Sequence, residues 1–189
     1  MRTRVPLLSL LVVLTAASAP VTALGDTTAA DTAALGGAAF GNANGLVTIN
    51  QIAGDANAQA NVAAIAGSGH VTVGLAVNLP HTTSLPNATV TIGGSALAHA
   101  SGLLQINQLG GVGNVQANLV TIGPTATLDD AALLAVAATA GAAPASASTA
   151  HHVSVHPGAL SAPSGILQLN QTAGTDNHSV NALDLHLHP

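Results

Sequence analysis

The sequence almost lacks the side chains that most proteins use for ionic contacts and for filling a wide core. Charged residues make up 5% of the 189 residues, and Phe40 is the single aromatic residue. Cysteine, tryptophan, tyrosine, lysine and glutamate are all absent. Without disulfides or large aromatic rings, stability has to come from backbone pairing and stacked aliphatic side chains. The composition therefore predicts thin, closely stacked layers.

Positive side chains other than histidine occur only at the extreme N-terminus, at Arg2 and Arg4. They precede the apolar run from Val5 to Leu14, and small residues then lead to Val21–Ala23. This order is typical of a secretory signal peptide, and we predict one over residues 1–23, with cleavage open between positions 19 and 25. The apolar run is too short to span a bilayer, so no membrane span is expected after signal removal.

Removal of the two arginines changes the formal charge from −5 to −7, because seven aspartates remain. A chain without lysine or arginine has no side chains for gripping nucleic-acid phosphates or anionic lipids. Nucleic acid is therefore excluded as a partner.

One motif organises the rest of the chain because it occurs three times. Gly45–Asn61 reads GLVTINQIAGDANAQAN, and it returns at Gly102–Asn118 and Gly165–Asn181. The three copies share the pattern N-Q-x-x-G-x-x-N-x-x-x-N at constant internal spacing, while the spacers between copies differ in length. Constant motifs between variable spacers indicate that the motifs are the paired layers of the fold.

The adjacent Asn and Gln of each motif are suited to stacking. A carboxamide carries both a donor and an acceptor, and identical amides at the strand spacing of about 4.8 Å can bond above and below. Adjacent positions on a strand point to opposite faces, so two ladders are predicted. One consists of Asn50, Asn107 and Asn170, and the other of Gln51, Gln108 and Gln171.

The other shared positions suit turns. Glycine supplies positive φ angles and asparagine tolerates them, so turn roles are predicted for Gly54, Asn57, Gly111, Asn114, Gly174 and Asn177. Three further asparagines recur without an assigned role, namely Asn61, Asn118 and Asn181. The opposing interpretation is that all these amides only punctuate turns within one molecule.

The predicted fold class is all-β, a layered β-solenoid-like stack of strand–turn–strand repeats. Strands are expected at Leu46–Gln51 and Asn57–Ile65 in the first repeat, and at Val71–Val77, Ala88–Ile92 and His152–Val155 in the spacers. A short helix is predicted at Thr127–Ala140 in the second spacer, with a strand pair as the competing interpretation, and a weaker helical signal covers Ala29–Leu35. The predicted segments are a flexible leader (24–44), repeat 1 (45–66), spacer 1 (67–101), repeat 2 (102–123), spacer 2 (124–164), repeat 3 (165–185) and a histidine-containing tail (186–189).

Three Asn/Gln repeats separated by two variable spacers behind a signal peptide resemble the Fap fibre subunits of Gram-negative bacteria, and less closely the curli subunits. The resemblance implies a secreted functional amyloid that self-associates into extracellular cross-β fibres for adhesion and biofilm matrix. It also implies other fibre subunits and an outer-membrane exporter as partners. Fap subunits commonly carry a C-terminal cysteine pair, which is absent here, and the spacers are short, so a minor subunit or a related adhesin stays open.

Other functions have less support. A monomeric β-solenoid surface adhesin is the main alternative, and an ice-binding face with Thr-x-Thr at Thr89 and Thr125 is a remote third. No motif of nucleophilic catalysis is present, so we predict no enzyme, no cofactor and no metal site. The nine histidines fit exposed polar positions, although alternate histidines on a strand are also able to bind Zn or Cu.

Overall fold

The computed structural model describes residues 30–66, 70–73, 87–128 and 150–187. Within these ranges every regular element is a β-strand. In chain order these are β1 (Ala30–Leu35), β2 (Asn44–Ala53), β3 (Ala58–Ile65), β4 (His70–Val73), β5 (Asn87–Ile92), β6 (Ser101–Val112), β7 (Val115–Gly123), β8 (Thr125–Leu128), β9 (His151–Val155), β10 (Ser164–Thr175) and β11 (His178–His186). The described residues contain no helix long and apolar enough to cross a membrane.

The strands form three layers, each of which holds one copy of the repeated motif. Layer 1 is residues 30–66, layer 2 is residues 87–123 and layer 3 is residues 150–186. Equivalent strands pair parallel and in register, in the orders β1-β5-β9, β2-β6-β10 and β3-β7-β11. Each layer 2 residue lies 57 positions after its layer 1 partner and 63 before its layer 3 partner. Layer 2 is therefore the middle rung.

The pairing continues through the turns between strands. The backbone N–H of Phe40 donates to the carbonyl of Ala96, and the N–H of Leu97 donates to the carbonyl of Ala159. These bonds join the turn after β1 to its counterparts after β5 and β9. Each layer therefore stacks as a whole, and it is longer than the repeat that marks it.

The three three-stranded sheets pack face to face, with the sheet of β2, β6 and β10 in the centre, and β4 pairs parallel with β8 in a fourth, two-stranded sheet. Its aliphatic face contributes Ile49, Leu104 and Ile106 to a core that also contains Ile92 and Leu97 of the first sheet and its turns. Its other face packs against the sheet of β3, β7 and β11. In layer 2 this places both faces of β6 in the interior, where its residues from Leu103 to Val112 are all buried.

Glycine columns permit the close approach of the layers. Gly54, Gly111 and Gly174 all have positive φ angles, between +102° and +133°. A Cβ atom on Gly54 would overlap the carbonyl of Gly111, and one on Gly111 would overlap the carbonyl of Gly174. The position therefore requires glycine both for its backbone angle and for the space between layers.

The prediction of an all-β, layered fold is confirmed, and so are the strands predicted for the repeats and at Ala88–Ile92 and His152–Val155. The weak helix at Ala29–Leu35 is wrong, because Ala30–Leu35 forms β1. Alanine favours helices in isolation, but here the segment pairs with β5 along its length. β1 and the following turn also place residues 30–44 of the predicted leader inside layer 1. Of the spacer helix, Thr127 and Leu128 lie in β8, and its residues from 129 onward lie outside the described ranges.

Candidate functional site

The first asparagine of each motif forms a continuous ladder between the central and third sheets. Nδ2 of Asn107 donates to Oδ1 of Asn50 at 3.1 Å, and Nδ2 of Asn170 donates to Oδ1 of Asn107 at 3.1 Å. The strand register brings these side chains together, because each occupies the same position of a parallel strand. The amides lie where the sequence analysis expects a ladder.

A second asparagine ladder interlocks with the first from the facing sheet. Nδ2 of Asn118 donates to Oδ1 of Asn61 at 2.9 Å, and Asn181 donates to Asn118 at 3.1 Å. Cross-bonds join the ladders, since Asn107 donates to Asn61 and Asn118 donates to Asn107, both at 3.0 Å. Sequence reasoning assigned no role to this position, although its recurrence in all three copies was the available signal.

The glutamine ladder lies on the opposite face of the central sheet. Nε2 of Gln108 donates to Oε1 of Gln51 at 3.1 Å, and Gln171 donates to Gln108 at 2.8 Å. Gln51 also donates to the backbone carbonyl of Thr91 in the first sheet at 3.3 Å. The adjacent Asn and Gln of the motif thus attach the central sheet to a different neighbour on each side.

The asparagines expected at turn exits form a fourth ladder. Nδ2 of Asn114 donates to Oδ1 of Asn57 at 3.1 Å, and Asn177 donates to Asn114 at 3.0 Å. The same oxygens accept the backbone N–H groups of Asn114 and Asn177. Each of these asparagines therefore occupies a turn and also bonds to the neighbouring layer. The sequence predicts only the turn, because the turn propensity of Asn does not indicate the bond between layers.

Two further columns are incomplete and were not singled out from the sequence. Gln59 donates to Gln116 at 2.9 Å, and Gln105 donates to Gln168 at 2.9 Å. Only two of the three layers have glutamine at these positions. The fully repeated amides are therefore the stronger sequence signal.

All four complete ladders run in one direction. In each, the amide nitrogen of the later layer donates to the amide oxygen of the preceding layer. Layer 1 is consequently one end of a polar stack and layer 3 the other, and the two ends are complementary in register.

Burial differs between the middle layer and the end layers. Asn107, Gln108, Asn114 and Asn118 in layer 2 are fully buried. In the end layers exposure is uneven: Asn50, Gln171 and Asn177 are exposed, whereas Gln51, Asn57, Asn61 and Asn170 keep only 3–9% of their surface accessible. A side-chain amide with a layer above and below it can pair its donors and acceptors away from water. At either end of the ladder, one side of the amide has no neighbouring layer to bond with.

Titratable side chains are few in this site. Oδ1 of Asp184 accepts a hydrogen bond from Thr121 at 2.7 Å, and its Oδ2 lies 3.2 Å from Nε2 of His186. Across the described ranges no group of three or more His, Asp or Glu side chains is arranged to hold a metal ion.

Parallel, in-register strands with ladders of identical amides are the stacking arrangement of cross-β proteins, and here they occur within one chain. The chain belongs to the Functional amyloid protein FapB/FapC family, whose profile it matches over residues 14–188. This match confirms the resemblance to the Fap fibre subunits. No solved structure matches the chain.

Proposed function

We propose that the protein is a secreted structural subunit of an extracellular amyloid-like fibre or adhesive biofilm matrix. The observation that carries this proposal is the set of four unidirectional amide ladders, open at layer 1 and at layer 3. Each layer then acts as one rung of a β-solenoid whose rungs continue from one molecule into the next. The membership of a functional amyloid family supports the same role.

Layer 2 is the internal reference for a layer inside such a fibre. Its amides are buried, its strands pair on both edges, and its glycines accept a close layer on each side. In the described part of the chain, β2 and β10 each pair on one edge only, with β6. A second copy placed with its layer 1 on layer 3 would give both end layers the environment of layer 2.

The open edges of the central sheet lack the usual protection against strand addition. Proteins commonly block an exposed sheet edge with lysine, other charges, proline or bulges. This chain has no lysine, and across the central sheet from Asn44 to Ala53 and from Ser164 to Thr175 no charged residue occurs. Edge-to-edge association is therefore favoured.

The proposal includes a structural role without catalysis, export across the outer membrane and co-assembly with other fibre subunits. These parts of the proposal are supported by the family membership and by the predicted signal peptide. Self-association is the part that the geometry supports directly.

The test is incubation of the purified protein, followed by negative-stain electron microscopy and amyloid-dye binding. Unbranched fibres that bind the dye are the expected result. A protein that stays monomeric by light scattering over the same period, while retaining its β-structure by circular dichroism, would contradict the proposal and favour the monomeric adhesin.

A further inference from the structure

One ring nitrogen of His151 lacks a hydrogen-bond partner within its own molecule, although the residue as a whole is partly exposed. Its Nε2 atom is inaccessible to solvent and makes no hydrogen bond. His151 lies at the start of β9, and Val153 and Val155 of the same face pack into the cores between sheets. A buried polar atom without a partner is unfavourable, so the partly exposed imidazole gains a hydrogen bond if it turns towards a partner on the open side of layer 3.

The strand register assigns a column of residues to this position. His151 pairs with Ala88 of layer 2, and Ala88 pairs with Asp31 of layer 1. Asp31 shares the inward face of β1 with Ala33 and Leu35, both of which pack on the cores. The column therefore reads Asp, Ala, His from layer 1 to layer 3, with all three side chains on one face.

Within one molecule the Asp and the His are separated by a whole layer. Ala88 lies between them and is fully buried, and two layer spacings amount to about 9.6 Å. Between two molecules stacked with layer 3 against layer 1, the same residues are neighbours at about 4.8 Å. The carboxylate and the imidazole thus come into pairing distance only across a junction.

We propose that Asp31 of one copy pairs with His151 of the next copy, and that this contact selects the head-to-tail junction of layer 3 on layer 1. The inference rests on the proposed function, since the partner is a second copy of this chain. If two molecules met through the same end face, for example layer 3 against layer 3, they would be related by a two-fold axis. Their contacting strands would then be antiparallel, and assembly through that face would stop at a dimer. The head-to-tail junction instead keeps every column in register.

Further titratable residues lie on the segments that neighbour the pair in both end layers. Ala33 packs against Ala53 at the end of β2, which places Asp55, two residues further along, towards the end of β1 that carries Asp31. The corresponding part of layer 3 carries Asp176, and His152 lies on the outer face of β9.

Charge reversal with cross-seeding tests the pair. The double variant Asp31→His with His151→Asp keeps a complementary pair at its own junctions, so at pH 6 it should extend its own fibre fragments within about twofold of the parent rate. Mixed junctions bring two carboxylates or two imidazoles together, so each protein should extend the other's fragments about tenfold more slowly. Equal self-seeded and cross-seeded rates would overturn the pairing.

The next column supplies the matched control. Thr32 and His152 occupy adjacent positions on the outer, exposed side of the same strands. The double variant Thr32→His with His152→Thr exchanges these residues, and its mixed junctions bring two histidines together only on this solvent-exposed side, where their repulsion is screened. It should cross-seed with the parent protein at the parent rate, and a tenfold loss here would also overturn the specific role of Asp31 and His151.

Disulfide trapping tests the same junction without charge, and the chain has no cysteine of its own. In the double variant Asp31→Cys with His151→Cys, the two Cα atoms of one molecule exceed the disulfide limit of about 7 Å, whereas those across the junction do not. Oxidised fibres should therefore yield covalent multimers on denaturing gels. The control Ala88→Cys with His151→Cys joins adjacent layers of one molecule and should stay monomeric.

The outcomes separate this inference from the proposed function. If the parent protein forms no fibres, the proposed function fails and the pairing fails with it. If fibres form but give no covalent multimers, or cross-seed freely in the charge-reversed pairing, the Asp31–His151 junction alone is overturned.

Discussion

Nδ2 of Asn118 donates to Oδ1 of Asn107 at 3.0 Å, and this bond joins two facing sheets within layer 2. Both side chains are fully buried, and each also bonds to asparagines of the layers on either side. The contact therefore stabilises the fold in two directions, across the sheets and along the stack.

Substitution Asn118→Ala should destabilise the protein strongly. It leaves buried amides in the neighbouring layers without their partner, which costs about 1–3 kcal/mol for each unsatisfied group. The measurement is the denaturant concentration that dissolves assembled protein. Asn44→Ala, at an exposed position at the start of β2, is the control and should leave that concentration nearly unchanged. Equal effects of the two substitutions would contradict the role of the ladder.

Substitution Gly111→Ala should prevent correct stacking. The new methyl group would overlap the backbone carbonyl of Gly174, and the φ angle of +133° is unfavourable for alanine. We expect loss of dye-binding fibres under conditions in which the parent protein assembles. Gly36→Ala serves as the control, because its Cβ would meet open space. Normal assembly of Gly111→Ala would show that the layers are further apart than described.

Substitution Ala56→Gly should stabilise the protein, although it removes a methyl group. Ala56 has a φ angle of +51° at a position where layer 2 has Gly113 at +72°. Relief of the left-handed conformation is worth about 1 kcal/mol. Equilibrium unfolding of freshly purified protein measures the change. Ala58→Gly, within β3, should instead destabilise by about 0.5–1 kcal/mol, and the same sign for both substitutions would refute the assignment.

Assembly should be faster near pH 6 than at pH 8. The chain after residue 23 has seven aspartates and nine histidines as its charged or titratable side chains. Its formal charge therefore rises from −7 towards zero as histidines are protonated, and repulsion between stacked copies decreases. Lag times in a dye-binding assay provide the comparison. Added salt should reduce the difference by screening, and equal lag times at both pH values at low salt would contradict the prediction.

The layered all-β fold was predictable because the motif repeats with constant internal spacing. The opposed positions of Asn50 and Gln51 followed from strand alternation alone. β1 was not predictable from Ala30–Leu35, whose alanines have low strand propensity. It forms because β5, with Val90 and Ile92, provides a paired neighbour and an apolar core.

The ladder of Asn57, Asn114 and Asn177 shows a second limit. Asparagine favours turns, and the sequence predicts a turn at this position. The side-chain bonds between these asparagines form only because neighbouring layers have the same turn in register. The Asp31–His151 column was likewise invisible in the sequence. It depends on extending the register of the motifs into the spacer strands, where the residues themselves do not repeat.

In the proposed fibre, the stack continues from layer 3 of one molecule to layer 1 of the next. Electron cryo-microscopy of the assembled fibres tests it most directly through the helical rise. We expect strands perpendicular to the fibre axis, layers about 4.8 Å apart, and one chain for every three layers, or about 14 Å along the axis. Fibres with one chain per layer, or with adjacent chains in antiparallel contact, would contradict it.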